Sequence, residues 1–437
     1  MKDLPLTAAP APTVRLWVMM VLEFAIWGAW LPLIWGYMGK DGLAFTEPQI
    51  AWVGSCFAIA SIVGIFFSSQ FADRAFAAER FMAFSHLVGG LAILGLYWAR
   101  EIAAATGLGV FPVFFGLMLV HSLLYVPTIS VSNSIAFTHM KDAQQEFGLV
   151  RMGGTIGWIL AAWPLYFVLQ GKEGAEAVAA SRNIFLVAGV SSLALAAYSL
   201  SLPHTPPKRA AAGDGLAWLK AARFLSHPYL LVLFVVTFID AVIHNGYFVM
   251  AGDFLKSKTV GIKPEWIMPV MSIGQVAEIA TMAVLGGVLA RLGWKTTMIL
   301  GILGHAARFA VFALLPQNQA VIIAVQVLHG ICYAFFFATL YIFIDAAFPK
   351  DVRSTAQSLF NLLVLGLGDL AAKWLFIPLQ GRLTDDDVVD YRTLFLVPAF
   401  LALAAAGLLA VAFWPPKSLA TAAETEDDPE TEPQLVT

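Results

Sequence analysis

The chain has 437 residues, of which 59% are hydrophobic and 13% charged, with a formal net charge of −3. A soluble domain carries about 25% charged residues, so this composition excludes a protein that faces water all round. The absence of a basic tract argues against a nucleic-acid partner, and the 2 cysteines, Cys56 and Cys332, lie in apolar blocks without metal-ligand spacing, which argues against a zinc site or a disulfide framework.

The apolar residues cluster into blocks long enough to cross the hydrocarbon core, which takes about 20 residues as a helix. Lipid offers the backbone no hydrogen bonds, so each block must be helical. The blocks are too uniformly apolar for barrel strands, which alternate. They fall near 14–38, 48–71, 80–99, 109–137, 149–170, 183–203, 227–251, 264–290, 296–315, 319–348, 353–380 and 391–414. The first runs well beyond a signal-peptide core and has no small-residue cleavage site after it, so it reads as a retained helix. Thr46-Glu47-Pro48-Gln49 and Lys263-Pro264-Glu265 read as helix openings, with proline in the first turn.

The longest polar connection, 204–226, separates the sixth and seventh blocks, and its Trp218–Arg223 stretch reads as a basic surface helix. The expected fold is an all-α membrane protein of twelve transmembrane helices in two six-helix bundles, 1–203 and 227–414, joined by a cytoplasmic loop. This is the architecture of the major facilitator superfamily. The acidic stretch 415–437 reads as a solvated, disordered tail. Placing both termini in the cytoplasm puts most of the 26 lysines and arginines on that side, in a cell (inner) membrane. Ala72-Asp73-Arg74 and Gly287–Lys295 form a degenerate repeat of a short cytoplasmic loop motif, one copy per half.

Charge inside a membrane helix costs about 2.5–3.5 kcal/mol on insertion scales, so each instance marks a candidate site. The candidates are Glu23, Asp240, Glu278, Arg308, Asp345, Asp369 and Lys373, with His121, His244 and His329 as polar neighbours. Gln275 and Glu278 share a helix face, and a carboxyl group among apolar residues there suits a proton carrier. Arg151, Thr155 and Trp158 also share a face, in a glycine-rich run that lets a neighbouring helix approach closely. An arginine, a hydroxyl and an indole can bind a polar ring compound, although a snorkelling arginine above a tight helix contact fits the same spacing. Asp240, His244 and Asn245 form a cluster expected to line a cavity, with His244 placed to share the proton of Asp240. Asp369 and Lys373, four apart, are expected to pair with each other.

These residues resemble the nucleoside:proton symporters of the major facilitator superfamily. The resemblance is carried by Arg151–Trp158, Phe24–Trp30, Tyr125-Val126-Pro127-Thr128 with Asn133, Leu202-Pro203-His204, Ser272–Glu278 and Arg353-Ser354-Thr355-Ala356-Gln357. It implies nucleoside contacts from Arg151, Thr155, Trp158, Asn245, Gln275 and Glu278, with His329 and Tyr333 in the tenth block. It also implies proton coupling through Glu278 and an aspartate in the tenth block. The chain has Ala334 where that aspartate falls, His329 in place of an aromatic, Val242 in place of a glutamine, and Glu23 where relatives carry glutamine. Asp240 is then the recruited coupling group, with His329 and Glu23 as the alternatives. The expectation is a monomeric symporter of nucleosides and protons, bathed in membrane lipid and without cofactor or metal. Rival readings are a carrier of another polar solute such as a sugar, an uncoupled facilitator, or a channel. An intramembrane enzyme would need a nucleophile with an adjacent base, or a metal cluster, and the helices hold neither arrangement.

Overall fold

In a computed structural model, residues 12–67, 76–140, 143–207, 224–348 and 353–415 are described. The first loop motif around Asp73, the basic 218–223 stretch and the acidic tail lie outside them. The helices are α1 (Pro12–Trp30), α2 (Glu47–Phe67), α3 (Ala78–Thr106), α4 (Val110–His139), α5 (Ala143–Leu169), α6 (Gly174–Ser199), α7 (Pro228–Lys256), α8 (Ile267–Leu314), α9 (Gln319–Ala347), α10 (353–382) and α11 (Tyr391–Ala412). Ten stretches among the described residues are long and apolar enough to cross a membrane. The chain is thus a multi-pass membrane protein.

Local chemistry sets the helix starts. The Gln49 side chain accepts from the Thr46 amide at 3.0 Å, closing the opening turn of α2. Asp390 caps α11 by accepting from the Thr393 amide at 3.1 Å and hydroxyl at 2.6 Å, and these bonds hold its carboxyl below the usual range. The eighth and ninth blocks are not separated by a loop. They abut within α8 at Gly293, whose φ of 68° and ψ of 174° reverse the chain in a single residue. Only glycine takes that conformation without steric cost.

Within the N-terminal part α1 packs against α5 and α6, and within the C-terminal part α8 packs against α9 and α11. After α6, the chain is tied back to the start of α3. The Thr205 amide donates to Glu79 at 2.9 Å, and the Ala78 amide donates to the Thr205 carbonyl at 3.0 Å. The α1–α5 contact depends on Gly153 and Gly157, where an added Cβ would lie 2.7 Å from the Trp17 carbonyl oxygen and 2.0 Å from that of Val21. Gly157→Leu should therefore lose at least the about 1–3 kcal/mol typical of overpacking. Thermal unfolding and monodispersity in detergent would show it, and a variant as stable as the parent would mean that the two helices can move apart freely.

The end of the bundle away from the chain termini is closed by contacts between the two parts. Lys40 pairs with Asp387 at 2.6 Å, Trp374 donates to the Ser55 hydroxyl at 3.1 Å, and the Tyr166 and Trp266 rings meet at 5.0 Å. Asp387 is presented by a two-residue turn between β1 (Thr384–Asp385) and β2 (Val388–Val389), a hairpin outside the helical pattern. Both turn residues, Asp386 and Asp387, have positive φ, as a tight hairpin requires.

Candidate functional site

Arg151 sits in the first half of α5, and its guanidinium lies over the Phe24 ring of α1 at 4.1 Å. Across the interface it is within hydrogen-bonding reach of the Tyr333 hydroxyl on α9, and it attracts the Glu278 carboxylate on α8. The α8–α9 contact is as tight as that of α1 and α5. A Cβ on Gly330 would fall 2.1 Å from the Glu278 amide nitrogen. The backbone therefore fixes where Glu278 stands. Tyr333 opens a π-helical turn, Tyr333–Ala338, inside α9. Such turns are frequent at functional sites because they re-aim the side chains that follow.

One layer further from the termini lies an aromatic floor. Trp158 meets Trp27 at 5.5 Å and Phe248 at 5.8 Å. Gly28 lets α1 approach, since a Cβ there would touch the Trp158 backbone at 2.9 Å. Beyond the floor is a pocket walled by Trp27, Trp30, Trp35, Phe57 and Phe248, with Asn245 and the Asp369–Lys373 ion pair as its polar groups. Asn245 donates to the Ala241 carbonyl at 2.9 Å and the Val364 carbonyl at 3.1 Å, which leaves its oxygen as an acceptor. Of the expected nucleoside contacts, Asn245 alone lines this pocket. Arg151, Glu278 and Tyr333 gather on the near side of the floor. Thr155 is half-buried on α5 between Arg151 and Trp158. Gln275 is buried, and its amide oxygen has no partner among the described residues.

His329 stacks on His244 at 4.9 Å and accepts from Arg308 at 2.6 Å between its Nδ1 and the guanidinium. A guanidinium cannot accept, so the His329 proton sits on Nε2. Arg308 is fully buried over the Tyr247 ring at 4.1 Å. The expected partner of Asp240, His244, is replaced by His305. The His305 Nδ1 lies 2.9 Å from Asp240, and both side chains are fully buried. The four-residue spacing puts His244 on a neighbouring line of α7, where it meets rings from α9 instead. Glu23 is also sealed, 2.9 Å from His86 Nε2. Sequence reasoning missed His86 and His305, since a lone histidine in an apolar helix carries no spacing signal.

A crossing helical bundle that closes at one end around a polar centre is the architecture of a secondary transporter, and solved transporters share it. The nucleoside transporter NupG, as an alanine-substituted mutant, superposes with a TM-score of 0.80 at 22% identity, covering 92% of this chain and 100% of that one. The D-xylose–proton symporter gives 0.71 at 13% identity, covering 92% and 98%. The chain belongs to the nucleoside H+ symporter family, whose model matches residues 11–418. It is similar to "Putative nucleoside transporter YegT" of Escherichia coli (strain K12), at 32% identity over 82% of each chain. It is also similar to the xanthosine permease of that organism, at 28% identity over 92% of this chain and 94% of the relative. The protein is a proton-coupled nucleoside transporter and not an enzyme.

Proposed function

We propose that the chain crosses the inner membrane twelve times, as two six-helix bundles, 1–203 and 227–414, with the 204–226 connection and both termini in the cytoplasm. Counting α2 and the two arms of α8 as separate passes raises the ten apolar stretches to twelve. The nucleoside binds at mid-membrane, between Arg151, Thr155 and Trp158 of one bundle and Asn245, Gln275, Glu278, His329 and Tyr333 of the other. What supports this reading is the packing of α5 against α8, which carries Arg151 over the Phe24 ring on one side and Glu278, fixed by the close approach of Gly330, on the other. It joins a cation, an acid and a hydroxyl beside a ring floor, with groups for a ribose and a plane for a base. The unpartnered Gln275 oxygen is a ready acceptor for a substrate donor.

Glu278 carries the proton, and Asp240 with His305 is the second coupling group, standing in for the aspartate that Ala334 replaces. The contacts at Lys40, Trp374 and Tyr166 close the periplasmic side, and alternating access breaks and remakes them. The transporter works as a monomer. Uptake of radiolabelled nucleoside into proteoliposomes, with nucleosides and sugars as competitors, tests the assignment. Inhibition by sugars but not nucleosides would refute it. Trp158→Ala should lose the about 0.5–1.5 kcal/mol of ring-on-ring attraction, which is roughly 2- to 10-fold in affinity. An unchanged affinity would take Trp158 out of the site.

A further inference from the structure

The two bundles carry matching elements. Glu23-Phe24-Ala25-Ile26-Trp27 in α1 corresponds to Asp240-Ala241-Val242-Ile243-His244 in α7, an acid followed by isoleucine and a ring at the same spacing. His121 and Tyr125 in α4 correspond to His329 and Tyr333 in α9. In each bundle the acid on the first helix reaches a buried histidine, Glu23 to His86 on α3 and Asp240 to His305 on the second arm of α8, both at 2.9 Å.

The two pairs differ in how their charge is balanced. Asp240 attracts Arg308 on the same helix as His305, a fixed cation. Glu278 attracts Arg151. Asp369 has Lys373. Glu23 has His86 as its only ion-pair partner among the described residues. The other polar groups around it are Thr128, which donates to the carboxylate at 2.8 Å, and Tyr125, which donates to the Glu23 carbonyl at 2.8 Å. His121 stacks behind Tyr125 at 5.3 Å, and Arg151 lies over the adjacent Phe24 ring.

The hydrogen bonds around His86 make a place for a proton between the pair. The Ser192 hydroxyl lies 3.1 Å from the His86 carbonyl and 3.2 Å from His86 Nδ1, and when it donates to the carbonyl its oxygen is left to accept from Nδ1. With Nδ1 protonated, Nε2 and the Glu23 oxygen would face each other as two acceptors unless one more proton lies between them. That proton makes the pair neutral, and without it a buried carboxylate would stand uncompensated, which costs several kcal/mol.

We infer that Glu23 and His86 form a proton-binding site of the N-terminal bundle, distinct from Glu278 and Asp240, which loads one proton per transport cycle. The inference rests on the reading of the protein as a proton-coupled carrier. The proton enters the line between the glutamate oxygen and His86 Nε2, no other bond changes, and it leaves when α1 and α3 separate to admit water. The site is linked to substrate through one residue. Glu23 is adjacent to Phe24, on which the Arg151 guanidinium rests, so a nucleoside that draws Arg151 away loads α1 directly.

The test is the number of protons taken up per nucleoside transported, measured with the full chain in proteoliposomes. In Glu23→Gln the amide can donate to His86 Nε2 without an added proton. The expected result is one proton fewer per nucleoside, with nucleoside exchange still measurable. If Glu23→Gln does not fold, His86→Gln serves instead, because its amide donates to the carboxylate in place of the shared proton, and the same loss is expected. A proton count equal to wild type in the folded variant overturns the inference while leaving coupling intact. A wild-type protein that moves no protons with nucleoside overturns the coupling itself.

Discussion

Glu278→Gln is expected to leave nucleoside exchange partly intact and to cut sharply the accumulation driven by a pH gradient. Each proton carried across one pH unit is worth about 1.4 kcal/mol, or tenfold in concentration ratio. A carrier that loses one of its proton groups loses that tenfold per pH unit, and keeps what its other proton groups supply. Glutamine keeps the size and the hydrogen-bonding capacity of the side chain, so the substrate site stays assembled. It cannot, however, alternate between a charged state facing Arg151 and a neutral one. The backbone at this position cannot adapt to restore a lost group, because Gly330 presses on the Glu278 amide. The measurement compares pH-driven uptake with counterflow in the same vesicles. Accumulation by the variant equal to that of the parent would mean that Glu278 carries no coupled proton.

The bundle was legible in the sequence because hydrocarbon thickness fixes the block lengths. Arg151, Thr155 and Trp158 were legible as one face because helical spacing is regular. The break within α8 was legible too, because Arg291 and Lys295 flank Gly293 between the eighth and ninth blocks, although the sequence did not show that one left-handed glycine would replace a loop. The pairing of Asp240 was misread. Spacing along α7 pointed to His244, but the partner is set by how α8 packs on α7, which local sequence does not encode. The pairing of Asp369 with Lys373, by contrast, lies within one helix and was legible from its four-residue spacing. The role of His86 depends on its packing against Glu23 and Ser192, which lie far from it in the chain.

Arg308→Met is expected to be the most destabilising of these substitutions. The guanidinium is fully buried between the Tyr247 ring at 4.1 Å and the Phe309 ring at 5.1 Å. Its Nε and Nη2 have no partner among the described residues, so hydrogen bonds do not offset its desolvation. What holds it is the Tyr247 ring, the bond to His329 at 2.6 Å and attraction to Asp240. Removing it leaves Asp240 sharing only His305. The loss should stay below the about 3–5 kcal/mol of a broken buried ion pair, because His305 still partners Asp240. Asp240→Asn alone should cost a similar amount, since Arg308 is then the stranded charge. Combining Asp240→Asn with Arg308→Met removes both charges and should recover much of the loss, because apolar replacements of buried ion pairs are often close to neutral. Thermal or denaturant unfolding of the four proteins in one detergent gives the cycle, with a coupling of about 0.5–3 kcal/mol expected for groups in one network. Strictly additive losses would show that Asp240 and Arg308 do not compensate each other. Nucleoside affinity measured on the same set adds a separate readout. Arg308→Met frees His329 to protonate on Nδ1 and to present either ring nitrogen, so affinity should fall in that variant and stay low in the double variant even where stability returns.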